Sequence, residues 1–121
     1  MKKILFVEDD KFLVRVLQAL FEKEGYTSIF LENGSKVLDT VKSENPDLIV
    51  MDLIMPGKDG FETINELKAD IQTKDKPIIV LSVLESNADI EKVTNLGIVK
   101  YLSKSKYSFK QMVSEISSLL H

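Results

Sequence analysis

The side chains best suited to chemistry stand just after short apolar bursts. Glu8, Asp9 and Asp10 follow ILFV (4–7), Asp52 follows LIVM (48–51), Ser82 follows IIVL (78–81), and Lys104 lies two residues past Leu102. If the strands of ILFV and LIVM are neighbours, several carboxylates meet in one cleft. Crowded carboxylates raise one another's pKa or require a cation. A donor set made only of oxygen suits Mg²⁺, which keeps several of its waters. The acidic periodicity of a calcium-binding EF-hand loop is missing. A carboxylate is also a competent nucleophile toward a phosphoryl group. Phosphoryl transfer needs charge neutralisation and positioning more than covalent assistance. Mg²⁺, the Lys104 ammonium and the Ser82 hydroxyl are candidates to supply both, with Asp52 as acceptor.

Composition removes most other chemistries. The chain has no Cys, and its one His is the last residue, His121. Thiolate metal sites, cysteine nucleophiles, histidine triads and multi-histidine zinc sites are therefore excluded. His121 reads as an exposed terminus. The formal charge of −3, from 16 basic and 19 acidic residues, argues against direct nucleic-acid binding. Lys104, Lys106 and Tyr107 form only a small basic-aromatic patch, suited to a solvated loop or a protein contact. The N-terminal apolar run stops at Val7 before three acidic residues. That is too short for a secretory signal, which needs roughly 7 to 15 apolar residues, and no run approaches the roughly 20 of a membrane span. A soluble cytoplasmic protein is expected.

The elements that must position these residues follow from the hydrophobic pattern. The three bursts are continuous rather than alternating, as in strands covered on both faces. Ser28–Leu31 and Ile98–Leu102 are weaker strand candidates. Between them lie helical patterns. Asp10 caps a helix whose apolar face is Leu13, Val16, Leu17, Leu20 and Phe21, and Gly25 stops it. Ser35 is expected to cap the second helix. Asp59 with Glu62, Ser86 with Asp89 and Ser108 with Gln111 resemble capping boxes. Gly97 stands past the fourth helix. Phe109, Met112, Val113, Ile116, Leu119 and Leu120 mark the face of the fifth. Met51, Met55 and Met112 read as packing. The 121 residues, 44% hydrophobic and 29% charged, fit one domain spanning 1–121. Strict alternation gives an α/β fold, a (βα)5 doubly wound parallel sheet. In such sheets ligands bind beyond the carboxyl ends of the strands, where all the candidate residues lie.

The chain resembles the receiver domain of two-component response regulators over essentially its whole length. KILFVEDD is similar to that family's acidic-pair strand. IVMDLIMPGKDG is similar to the phosphoacceptor strand and loop, with Asp52, Pro56 and Gly60 in place. PIIVLS ends in the switch hydroxyl Ser82, and KYLSK carries an aromatic, Tyr101, three residues before Lys104. The resemblance implies a flavodoxin-like sheet in the order 2-1-3-4-5. It implies that Asp52 accepts a phosphoryl group from a phosphohistidine on a sensor histidine kinase or a histidine phosphotransfer protein. Glu8, Asp9, Asp52 and the Ile54 backbone carbonyl would hold Mg²⁺, with Glu8 acting directly or through water, and Lys104 would pair with a phosphoryl oxygen. Ser82 would move toward the phosphoryl group and Tyr101 into the space it leaves. That change would remodel the face of the fourth helix, fifth strand and fifth helix for a downstream protein partner. The implied protein catalyses only its own phosphorylation and dephosphorylation, as a monomer or weak homodimer.

Three positions depart from the family pattern. Ser105 stands where proline is usual, so a trans Lys104–Ser105 bond is expected, because a cis bond before serine costs about 2.5–4 kcal/mol. Ser82 replaces the commoner Thr. Val83 stands where a small residue is usual, and with Ile54 and Leu84 its bulk predicts restricted access and slow self-dephosphorylation. Rival functions are weaker. A haloacid-dehalogenase-like phosphatase needs a second Asp two residues after the nucleophile, where this chain has Ile54. A flavodoxin-like carrier needs a phosphate loop where Glu8–Asp10 would repel an anion. A degenerate receiver acting as a docking module is the remaining alternative.

Overall fold

A computed structural model describes residues 2–120; Met1 and His121, and with it the expectation of an exposed terminal histidine, lie outside the described residues. The elements alternate: β1 (Lys3–Val7), α1 (Lys11–Lys23), β2 (Thr27–Leu31), a 3-10 turn (Gly34–Lys36) running into α2 (Val37–Glu44), β3 (Leu48–Met51), α3 (Gly60–Ala69), β4 (Ile78–Ser82), α4 (Asn87–Thr94), β5 (Lys100–Ser103) and α5 (Phe109–Ser117). The strands form one sheet in the order β2-β1-β3-β4-β5, and all four pairings are parallel.

The two-residue period of a strand sorts each burst onto two faces. Ile4, Phe6, Leu48, Val50, Ile79, Leu81 and Leu102 pack under α1 and α5, against Leu13, Leu17, Phe21, Met112, Val113 and Ile116. Leu5, Val7, Ile49, Met51, Ile78 and Val80 pack on the other face, against Val37, Val41, Ile64, Leu67 and Val93. A continuous apolar run is thus two interleaved stripes, one for each core.

Helix ends follow short-range chemistry. Asp10 accepts the Phe12 and Leu13 amides and Gly25, at φ +86°, follows the end of α1; Gly97, at φ +92°, follows α4. Ser108 and Gln111 make a reciprocal capping box on α5. Asp59 and Ser86 cap α3 and α4 through the Glu62 and Asp89 amides, without the returning carboxylate-to-backbone bond. Ser35 does not cap α2. Asn33 accepts both the Ser35 amide (2.9 Å) and its hydroxyl (2.6 Å), forming a tight Asx turn that starts the 3-10 segment instead. Ile98 precedes β5, which begins at Lys100, because the chain first leaves the left-handed Gly97 turn. Val14 is buried in α1 while Val16 is only half-buried, and Phe109 and Leu119 are exposed. The Lys104–Ser105 bond is trans, as are all described peptide bonds.

Gly60, the first residue of α3, brings that helix against the end of β3. A Cβ there would lie 2.3 Å from the Asp52 carbonyl oxygen and 2.7 Å from the Leu53 Cα. In an uncrowded helix, Gly→Ala adds up to about 1 kcal/mol, whereas overpacking costs about 1–3 kcal/mol. The obstacle here is backbone, so the clash wins. Gly60→Ala is expected to lower the urea midpoint of unfolding; a raised midpoint would refute the close-approach account.

Candidate functional site

Parallel pairing places the carboxyl ends of all strands on one edge. Val7 and Met51 are register partners in β1 and β3, so Glu8 and Asp52 are the next residues on each strand. The Asp52 amide donates to the Val7 carbonyl at 2.9 Å, which fixes the two ends side by side. The Lys104 amide likewise donates to the Ser82 carbonyl at 2.9 Å, tying the loop after β5 to the end of β4.

Glu8 and Asp52 are each only 5% exposed, while Asp9 is exposed. The Lys104 ammonium lies 2.5 Å from Glu8 Oε1 and 3.4 Å from Asp52 Oδ2. The other Glu8 oxygen accepts the Asp10 amide at 3.1 Å, and Asp52 Oδ1 accepts the Ile54 amide at 3.3 Å. Burial pushes the Glu8 carboxyl up to about 7; the Lys104 hydrogen bond opposes this and the Asp52 charge adds to it. For Lys104, burial works against the charged form, but the Glu8 and Asp52 carboxylates outweigh it and leave the ammonium above its ordinary value. One oxygen from each of Glu8, Asp9 and Asp52 lies within 4.8 Å of the others, the one such acidic group found among the described residues. These are hard donors, the ligand type of Mg²⁺ or Mn²⁺. Asp9 offers an unencumbered carboxylate, whereas Glu8 must exchange its Lys104 bond to bind directly.

The remaining expected residues flank this cluster. Ser82 is fully buried at the end of β4, and its hydroxyl accepts the Leu84 amide at 3.2 Å. Tyr101 packs inward on the α2–α3–α4 core, and its phenol donates to the Leu84 carbonyl. Burial raises the phenol above its ordinary pKa, partly offset by the Ser82 hydroxyl. Ile54 joins through its amide and is half exposed, as is Val83. Sequence reasoning missed two things. It assigned Lys104 to a phosphoryl oxygen and named no carboxylate partner for it, whereas Glu8 is its nearest. It also passed over Glu85, which accepts the Ser103 hydroxyl at 3.0 Å and the Ser105 hydroxyl as well. The only hint was Ser105 itself, read as a missing proline rather than as an added donor.

Comparison with known proteins agrees with this geometry. Residues 4–117 match the family model for the response regulator receiver domain. The polar-differentiation response regulator DivK of Brucella anthropi is 31% identical over 119 residues, which cover 98% of this chain and 96% of that protein. The transcriptional regulatory protein CpxR of Escherichia coli is 34% identical over 99% of this chain, but the chain spans only 50% of CpxR. Among solved structures, the Mn(2+)-bound form of response regulator Rcp1 superposes with a TM-score of 0.86 at 32% identity, covering 98% of this chain and 93% of that one. The phosphorylated cyanobacterial phytochrome response regulator RcpA gives 0.84 at 29% identity, covering 98% and 90%. With its acid cluster at the carboxyl edge of a β2-β1-β3-β4-β5 sheet, this chain belongs to the response regulator receiver domain family.

Proposed function

We propose that this chain is a phosphorelay receiver in which Asp52 accepts a phosphoryl group from a phosphohistidine of a sensor kinase or phosphotransfer protein. The observation that carries this reading is the convergence of three carboxylates and one ammonium where β1, β3 and the loop after β5 meet. An Asp52 carboxylate oxygen forms the bond to phosphorus as the phosphorus–nitrogen bond breaks. The imidazole leaves with that electron pair. A bound Mg²⁺ supplies neutralisation of the charge that gathers on the phosphoryl oxygens. Asp9 and Asp52, the Ile54 carbonyl and Glu8, directly or through water, are the residues to hold it. Lys104 exchanges its Glu8 bond for a phosphoryl oxygen. Ser82 donates its hydroxyl to that group, and Tyr101 transmits the change to the face made by α4, β5 and α5. A local change of charge thus biases a bistable element. The protein is a signalling module whose chemistry is confined to its own aspartate. The intact ionisable set weighs against a degenerate docking module, and among the described residues no helix is long and apolar enough to cross a membrane.

Intact mass after incubation with Mg²⁺ and a small phosphodonor tests this reading. One added phosphoryl group is expected, absent without Mg²⁺ and absent in Asp52→Ala. If neither the parent nor Val83→Ala gains mass, the acceptor reading falls and a docking module takes its place.

Val83 and Ile54 are 57% and 50% exposed, directly after Ser82 and two residues after Asp52. We infer that they form an apolar rim that slows water attack on the phosphorylated aspartate. Val83→Ala is expected to shorten the lifetime of phosphorylated Asp52 several-fold, followed by loss of the added mass with time. An unchanged decay rate would rule out the steric account.

A further inference from the structure

Ser103, the last residue of β5, and Ser105, just beyond it, both reach Glu85 Oε1 in the loop between β4 and α4. The two hydroxyl oxygens are themselves 3.0 Å apart. Each carries a single proton, so at most two of the three contacts are hydrogen bonds at any moment, and each of the three ways of choosing two leaves the carboxylate held. These hydroxyls keep the Glu85 carboxyl below its usual range, Ser105 having the larger effect. Glu85 itself is exposed, so no burial forces this arrangement.

The neighbouring residue carries the link to the switch. The Leu84 carbonyl that accepts the Tyr101 phenol and the Glu85 amide belong to one planar peptide unit. Glu85 cannot shift far without moving the acceptor of Tyr101. Tyr101 and Ser103 are two apart on β5 and so project from the same face of the strand. Tyr101 and the clasp therefore grip one rigid unit of the loop from a single strand and its extension. None of the clasping residues belongs to the acid cluster. Glu85, Tyr101 and Ser103 also line a surface cleft of about 170 Å³ with Ile90, Lys106 and Tyr107.

We propose that Glu85 is a positioning residue: clasped by Ser103 and Ser105, it holds the β4–α4 loop so that the Tyr101 ring already lies inward before Asp52 is phosphorylated. The role of Tyr101 as a switch rests on the receiver reading above; the mechanical hold does not. Ser105, at a position where a proline would offer no hydroxyl, supplies half of the clasp. The output face is then biased before any phosphoryl transfer, and phosphorylation acts on a population already tilted.

The test is NMR of protein with ¹³C-labelled tyrosine rings, free of Mg²⁺ and phosphodonor, in the presence of a soluble paramagnetic probe. The chain has three tyrosines, and Tyr101→Phe assigns the Tyr101 signal. In the parent, the Tyr101 ring is expected to be protected from broadening. Glu85→Ala and Ser105→Ala are expected to remove much of that protection, and Ser105→Thr, which keeps the hydroxyl, to retain it. Tyr26, packed on Phe21 at 5.8 Å between ring centres, is the internal control and should not change. Equal protection of Tyr101 in the parent and both alanine variants would overturn the proposal. So would equal loss at Tyr26 and Tyr101, which would mean general loosening, or loss in Ser105→Thr. Because no donor is present, that failure would leave Asp52 phosphorylation untouched, and failure to label Asp52 would leave the ring result standing.

Discussion

One ammonium group lies between two carboxylates that the fold has taken out of water. Leaving either carboxylate charged and unpaired at that depth costs several kcal/mol, and their mutual repulsion adds to it. The site therefore requires Lys104, and Lys104 requires the sheet order. β4 separates β5 from β3, so at about 4.8 Å per strand β5 lies roughly 10 Å from the strand that carries Asp52. A long side chain passing over a short one meets that distance, and Lys104 and Ser82 are such a pair. The amide of Lys104 on the Ser82 carbonyl sets the starting point of the crossing.

The balance inside the cluster explains why it is poised rather than settled. Glu8, Asp9 and Asp52 bring three carboxylates against one ammonium. Two answers are open to such an excess: a divalent cation, or a proton on one of the buried members. Glu8 is the member that burial pushes up, to about 7, with the Lys104 hydrogen bond opposing the shift. Asp9, exposed and next to it, is the member that stays available to a cation. Lys104 leans toward Glu8 and leaves Asp52 with the looser contact, so of the two buried carboxylates Asp52 is the less committed to the ammonium.

Much of this was legible in the sequence because the underlying rules are local. Four-residue apolar bursts without alternation suit strands covered on both faces, and the bursts at 4–7, 48–51 and 78–81 all lie within strands. In a parallel sheet the residue after each burst faces the common edge, which found Glu8, Asp52 and Ser82 by position alone. The losses have equally physical causes. Ser35 failed as a cap because Asn33, two residues earlier, takes up both its amide and its hydroxyl. Phe109 and Leu119 fit the apolar period of α5, but Phe109 is its first residue and Leu119 lies two past its end, and both are exposed. The Glu85 clasp joins residues about twenty positions apart across two loops, and no local period records such a pairing.

Ser82 is where the charged half of the site and the hydrogen-bonded half meet. Its carbonyl accepts the Lys104 amide, and its hydroxyl accepts the Leu84 amide. The two halves differ in kind. The acid cluster acts through charge in a low-dielectric cleft, where a change at one carboxylate is felt by every neighbour. The loop is held by hydrogen bonds between neutral hydroxyls, a phenol, a peptide and one exposed carboxylate, which act only in contact. A hydroxyl has one proton to give. If Ser82 swings toward a new anion at Asp52 to donate that proton, its oxygen draws away from the Leu84 amide, and the residue whose carbonyl holds Tyr101 loses one of its anchors. The remaining anchors are Tyr101 itself and the Glu85 clasp. How far the loop then moves is decided by the clasp rather than by the acid cluster, so the chemistry of the site and the size of its output are set by different residues.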